Sequence, residues 1–109
     1  MVISYHVTKK ENLSSIIDKG LIPSIGKRST MISESTPSVY LFKNIVDMQD
    51  AISNWLGECF EDKDELIILT VNIKNLPTVA GADYEILIQT TINPDRIISI
   101  LDENLNIIK

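Results

Sequence analysis

Two amphipathic helical segments early in the chain, followed by a succession of β-rich segments, predict an α+β domain. Three observations carry that expectation. Apolar residues recur at helical spacing behind polar helix-start residues, first after Thr8 and again after Asn44. Short runs rich in Val, Ile, Leu and Tyr occupy 2–7, 38–42, 66–73, 84–92 and 97–101. Nineteen isoleucines among 109 residues weight the composition toward pleated surfaces.

The elements read in order as β-α-β-α-β-β-β, a sheet with two helices packed on it. Residues 2–7 form the first strand. Thr8-Lys9-Lys10-Glu11 has the pattern of a capping box, and Leu13, Ile16 and Ile17 continue at helical spacing to Gly20, a C-terminal cap. Leu21-Ile22-Pro23 leaves in extended form, and residues 24–37 read as a long exposed loop of the kind that often carries function. A strand at 38–42 leads to Asn44, the N-cap of a second helix striped by Ile45, Met48, Ile52, Trp55 and Cys59. After an acidic turn at 61–64, the unbroken apolar start of 66–73 predicts a strand buried on both faces. Residues 77–82 read as a loop. Strands follow at 84–92 and 97–101, then a polar turn at Asp102-Glu103-Asn104 and a last extended segment through Ile108. The length suits a single domain, 1–109, with one core.

Composition narrows the function classes. Hydrophobic residues make up 44% and charged residues 23%, which is globular. A net charge of -5 with scattered Lys and Arg gives no footprint for a nucleic-acid backbone. The start of the chain has no basic-then-apolar leader pattern, and no apolar run reaches membrane-spanning length. The lone Cys59 excludes an intrachain disulfide and a multi-cysteine metal site, and a cytoplasmic setting is expected.

Three groups stand out chemically. His6, the only histidine, sits on an apolar strand; it is either a hydrogen-bonded core residue or a ligand group beside the following helix N-terminus. Tyr40 is either a cross-strand aromatic or a flat face for a ligand ring. Glu85 heads the strand Tyr84-Glu85-Ile86-Leu87-Ile88, as a solvated strand-start residue or as a carboxylate at the mouth of a cleft. Period-two alternation puts Asp83, Glu85, Leu87 and Gln89 on one face. Two carboxylates on one strand are too few oxygen donors for a metal, so no metal is expected. Lys27 and Arg28 are either a solvated pair or a clamp for phosphate.

The ordered set of motifs resembles the ADP-ribosyltransferase superfamily, in its histidine–tyrosine–glutamate branch. Tyr5-His6-Val7-Thr8, a helix and Gly20-Leu21-Ile22-Pro23 are similar to the family's opening strand, helix and G-L-x-P exit. Val39-Tyr40-Leu41 before a helix is similar to its second block. Asp83-Tyr84-Glu85, continuing to Ile92-Asn93-Pro94-Asp95-Arg96-Ile97, is similar to the glutamate strand and its continuation. The resemblance implies an ADP-ribosyltransferase-like fold, with a split mixed or antiparallel sheet around an NAD-binding cleft.

It further implies that His6 hydrogen-bonds a ribose of NAD, with Val7 gripping the nicotinamide carboxamide through its backbone and Thr8 in the same block. Tyr40 would stack on nicotinamide, Arg28 would join the NAD-binding set, and Glu85 would be the catalytic carboxylate. Asp83 would take part in acceptor recognition. NAD would be the co-substrate, and the acceptor a macromolecule, protein rather than nucleic acid, as for a bacterial or phage effector. Valine follows the histidine where glycine is common in the family, and Asp83 stands where arginine-modifying members carry Gln or Glu. The RNA 2′-phosphotransferase branch opens similarly but needs further histidine and arginine residues. Two other readings stand beside transfer: an inactive module of the same fold binding NAD, ADP-ribose or a protein, and an interaction domain with an acidic surface.

Overall fold

The computed structural model describes residues 2–23, 38–54, 65–80 and 85–108. They form an α+β fold whose sheet has six strands in the order β4-β5-β2-β1-β3-β6, every neighbouring pair antiparallel. The strands are β1 (Ile3–Lys9), β2 (Val39–Phe42), β3 (Leu66–Asn72), β4 (Val79–Ala80), β5 (Glu85–Ile88) and β6 (Ile97–Asp102). The helices are α1 (Leu13–Lys19) and α2 (Ile45–Asn54). No helix among the described residues is long and apolar enough to cross a membrane.

Pairing is uneven. β1 runs beside β3 from Ile3↔Asn72 to Lys9↔Leu66, and β2 beside β5 from Val39↔Ile88 to Phe42↔Glu85. Between β1 and β2, however, a single registered pair, Tyr5↔Phe42, joins the strands. The sheet is therefore two halves, β4-β5-β2 and β1-β3-β6, meeting at one row.

Each face of the sheet carries a helix. On one, Ile16 of α1 and Leu21 pack with Val39, Leu41, Ile67, Leu69, Val71, Ile88, Ile92 and Ile100. On the other, Met48 and Ala51 of α2 pack with Val7, Phe42, Leu66, Ile68 and Leu101. β3 supplies residues to both layers, and Leu66 to Leu69 are all buried, as its unbroken apolar run predicts.

The helix ends follow local chemistry. Asn44 caps α2 by accepting the Asp47 backbone N–H at 2.8 Å, and its amide donates to the Asp47 carboxylate at 3.0 Å. Gly20 ends α1 with φ +85 and its N–H on the Ile16 carbonyl. Leu21 and Ile92 then exchange both backbone hydrogen bonds at 2.9 Å. A Cβ at Gly20 would overlap the Ile92 carbonyl oxygen, so glycine is required by position as well as by φ.

Several expectations need correction. β1 continues through Lys9, paired to Leu66, because the β3 ladder holds the chain extended; Thr8 is therefore not a helix cap. A 3₁₀ turn at Lys10–Asn12 comes next, and α1 begins only at Leu13. The Thr8 hydroxyl instead accepts from the Asn12 side chain at 3.1 Å, and Glu11 lies 3.8 Å from the Lys9 ammonium. The expected loop at 77–82 contains β4, a two-residue strand set by pairing to Leu87 and Ile86. β5 stops at Ile88, where its pairing with β2 ends at Val39, so the expected strand to Ile92 is shorter.

The final extended segment is a return along β6, with a Leu101↔Ile107 bridge and Ile108 donating to the Ile100 carbonyl. Its turn is held by the Asp102 carboxylate, which accepts the Asn104 and Asn106 backbone amides at 2.9 Å. The readings on 24–37, 61–64, Trp55 and Cys59 fall outside the described residues.

Gly20→Ala is expected to destabilise the fold by more than ~1 kcal/mol, since it adds a clash to an unfavourable φ. Asn44→Ala should cost about 1 kcal/mol through loss of the cap alone. Urea denaturation measures both, and a Gly20→Ala effect no larger than that of Asn44→Ala would contradict the close approach to Ile92.

Candidate functional site

His6 lies fourth in the seven residues of β1, not at its end, and the α1 N-terminus expected beside it is displaced by the rest of the strand and a 3₁₀ turn. Its partner is instead main chain. Nδ1 lies 2.8 Å from the carbonyl oxygen of Tyr40 on β2, across the boundary where the two halves of the sheet meet. Strand carbonyls lie close to the plane of their sheet and point toward neighbouring strands. The imidazole therefore enters the opening between β1 and β2 and takes a carbonyl that a continuous ladder would have used.

This bond sets the chemistry of the ring. A carbonyl only accepts, so Nδ1 carries the proton and donates it. Burial pushes the His6 pKa below 6.5, against the smaller raising effect of the Tyr40 carbonyl. The neutral ring then has its lone pair on Nε2, ready to accept from a hydroxyl.

Tyr40 and Glu85 occupy the other half of the sheet. Tyr40 pairs with Leu87, and Phe42 pairs with Glu85, so alternation puts Tyr40, Phe42, Glu85 and Leu87 on one face. Tyr5 joins them through its pairing with Phe42, completing the cross-strand row Tyr5–Phe42–Glu85. Glu85 is 2% exposed, so the solvated strand-start alternative does not describe it.

His6 by alternation leaves β1 on the opposite face and reaches Tyr40 through the opening. The three expected residues thus do not share one face: His6 lies on one, and the Tyr40 and Glu85 side chains lie on the other. His6 and the Tyr40 backbone are brought into contact, with Glu85 on the strand beside Tyr40.

The remaining residues of the expected site divide clearly. The Val7 side chain is buried in the layer under α2. Thr8 is tied to Asn12. Arg28 and Asp83 lie outside the described residues. Among the described residues, no three His, Cys, Asp or Glu side chains are gathered as a metal site would require. The one participant absent from the sequence reading is the Tyr40 carbonyl, a main-chain atom that no residue pattern announces.

Among the described residues, an antiparallel sheet with two helices and a divided centre defines the α+β class. Among solved structures, the chain is similar to one titled EcPltA, with a TM-score of 0.57 and 12% sequence identity, over 97% of this chain and 81% of that one. At that identity the likeness concerns the fold alone. No family model and no curated protein matches the sequence.

The His6 environment predicts a pH dependence of stability. The unfolded chain takes up a proton near pH 6.5 and the folded chain only at lower pH. The stabilisation from a neutral His6 is thus fully present above 6.5 and is lost as pH falls below it. Urea midpoints should fall between about pH 7.5 and about pH 5, and fall less in His6→Gln. Equal falls in both proteins would show that His6 is not held neutral by the fold.

Proposed function

We propose that this protein is an NAD-dependent mono-ADP-ribosyltransferase, cleaving the nicotinamide–ribose bond and passing ADP-ribose to a macromolecular acceptor. The observation that carries the reading is the boundary between β1 and β2, with a neutral imidazole fixed there by the Tyr40 carbonyl. Its support from sequence is the ordered set of His6, Tyr40 and Glu85 blocks.

In this reading Tyr40 stacks on the nicotinamide ring and His6 Nε2 accepts from a ribose hydroxyl. The C–N bond breaks with its electron pair leaving on nicotinamide, and positive charge develops at the anomeric carbon. The Glu85 carboxylate hydrogen-bonds the nicotinamide-ribose hydroxyl and stabilises that charge from a fixed position. A nucleophile on the acceptor then bonds to the anomeric carbon and loses its proton. The net charge of -5 favours a protein acceptor over nucleic acid, whose phosphates it would repel. The Val7 backbone grips the nicotinamide carboxamide, Thr8 and Arg28 belong to the NAD-binding set, and Asp83 contributes to acceptor recognition.

The burial of Glu85 favours a second reading, a module of the same fold that binds NAD or ADP-ribose without turnover. Nicotinamide release separates the two. For the enzyme, Glu85→Gln should lower release roughly 10²–10³-fold with NAD affinity nearly unchanged. Full release by Glu85→Gln would refute the role of Glu85. Saturable NAD binding by the wild type, without release over hours, would select the binding module. Absence of NAD binding would reject both.

A further inference from the structure

We infer that Asn12 is a positioning residue for NAD, which holds the Thr8 hydroxyl so that its proton is free to point to the dinucleotide. This rests on the NAD reading given above and adds to it a residue that lies outside its motifs.

Asn12 ends the 3₁₀ turn and directly precedes Leu13, the first residue of α1. An asparagine there ordinarily accepts a backbone N–H of the first helical turn. This one does not. Capping needs an extended backbone, whereas Asn12 has φ -85 and ψ -6, in the helical region, and its side chain bonds no amide of α1. The side chain turns back four residues instead, and Nδ2 donates to Thr8 Oγ1 at 3.1 Å. An exposed asparagine is thus withdrawn from α1 and given to a hydroxyl on β1.

The direction of that bond decides what Thr8 can offer. A hydroxyl has one proton and two acceptor lone pairs. The Asn12 amide occupies a lone pair and leaves the proton, which no acceptor among the described residues takes. Thr8 pairs with Ile67 and His6 with Leu69, and both partners pack in the layer under α1. Thr8 and His6 therefore leave β1 on the same face, roughly 7 Å apart along the strand. One face of β1 then carries an acceptor, His6 Nε2, and beside it a donor, the Thr8 hydroxyl. A dinucleotide that gives a ribose proton to His6 is long enough to present an acceptor oxygen or ring nitrogen to Thr8.

Calorimetric titration of the full chain with NAD at about pH 8 tests this in Asn12→Ala, Asn12→Asp, Thr8→Val and the Thr8→Val, Asn12→Asp double variant. No cap is lost in any of them, and aspartate beside the start of α1 should leave the urea midpoint unchanged or raised. Asn12→Ala lets the hydroxyl rotate and should weaken NAD binding about threefold. Asn12→Asp reverses the bond, since a carboxylate only accepts: it takes the Thr8 proton and turns a lone pair toward the dinucleotide. Asn12→Asp and Thr8→Val should each weaken binding about tenfold, and Asn12→Asp should add less than about twofold once Thr8 is replaced. Where nicotinamide is released, KM should rise by the same factors with kcat changed less than about twofold, because neither group touches the bond that breaks.

NAD binding by Asn12→Asp within about threefold of the wild type would overturn the inference and leave the NAD reading in place. An equal loss from Asn12→Asp with and without Thr8 would overturn it as well, since the added charge alone would then be repelling the dinucleotide phosphates. Full affinity in Thr8→Val would have the same consequence. Absence of NAD binding by the wild type removes the functional reading and this inference together.

Discussion

The hydrogen bond from the His6 imidazole to the Tyr40 carbonyl spans the one boundary in the sheet where backbone pairing is nearly absent. Elsewhere the strands are zipped along their length, and a buried carbonyl without a ladder partner would carry a desolvation cost of about 1–3 kcal/mol. The imidazole meets that demand. In doing so it replaces a repeating, nonspecific ladder contact with one side chain of defined tautomer. The opening between β1 and β2 and the chemical state of its histidine are thus one structural fact.

A sheet joined at a single row needs other ties, and the helices provide them. By chain connection α1 follows β1 and belongs to the β1-β3-β6 half, yet Leu21 at its end is bonded to Ile92, just beyond β5. Conversely, α2 follows β2 in the other half, while Met48 and Ala51 pack with Val7, Leu66, Ile68 and Leu101 from β1, β3 and β6. Each helix thus packs into a layer that draws on both halves of the sheet. Burial of these apolar side chains, at about 25 cal/mol per Å² of apolar surface, holds the halves together without closing the boundary. Gly20 matters for this reason: it lets α1 end close enough to Ile92 to make the tie.

Much of this was legible in the residues. The α+β class, the glycine exit from α1, the Asn44 cap and the buried β3 follow from periodicity and capping chemistry, which act over a few residues. What stayed hidden depends on partners distant in sequence. Thr8 and Lys9 look like a helix start, and they are strand because Ile67 and Leu66 pair with them from across the sheet. Val79 and Ala80 have loop neighbours on both sides, and only Leu87 and Ile86 make them a strand. At the candidate site, the residue types of His6, Tyr40 and Glu85 are visible in sequence, but their division between two faces of the sheet is not. Nor was the Tyr40 carbonyl, since a main-chain acceptor is the same at every position.

The row Tyr5–Phe42–Glu85 sets the two polar groups in different surroundings. Glu85 lies in register with the single pair that joins the halves, one strand removed from the boundary, and is buried. His6 lies one residue beyond that pair, where the strands have begun to separate, and its ring spans the gap. A carboxylate that stabilises developing charge gains from being fixed before the reaction begins, because no free energy is then spent on orienting it. A group that recognises a sugar gains from standing where a ligand can enter. If the proposed roles hold, the charge-stabilising group is the buried one, a strand away from the boundary, and the recognition group is the one whose ring crosses it.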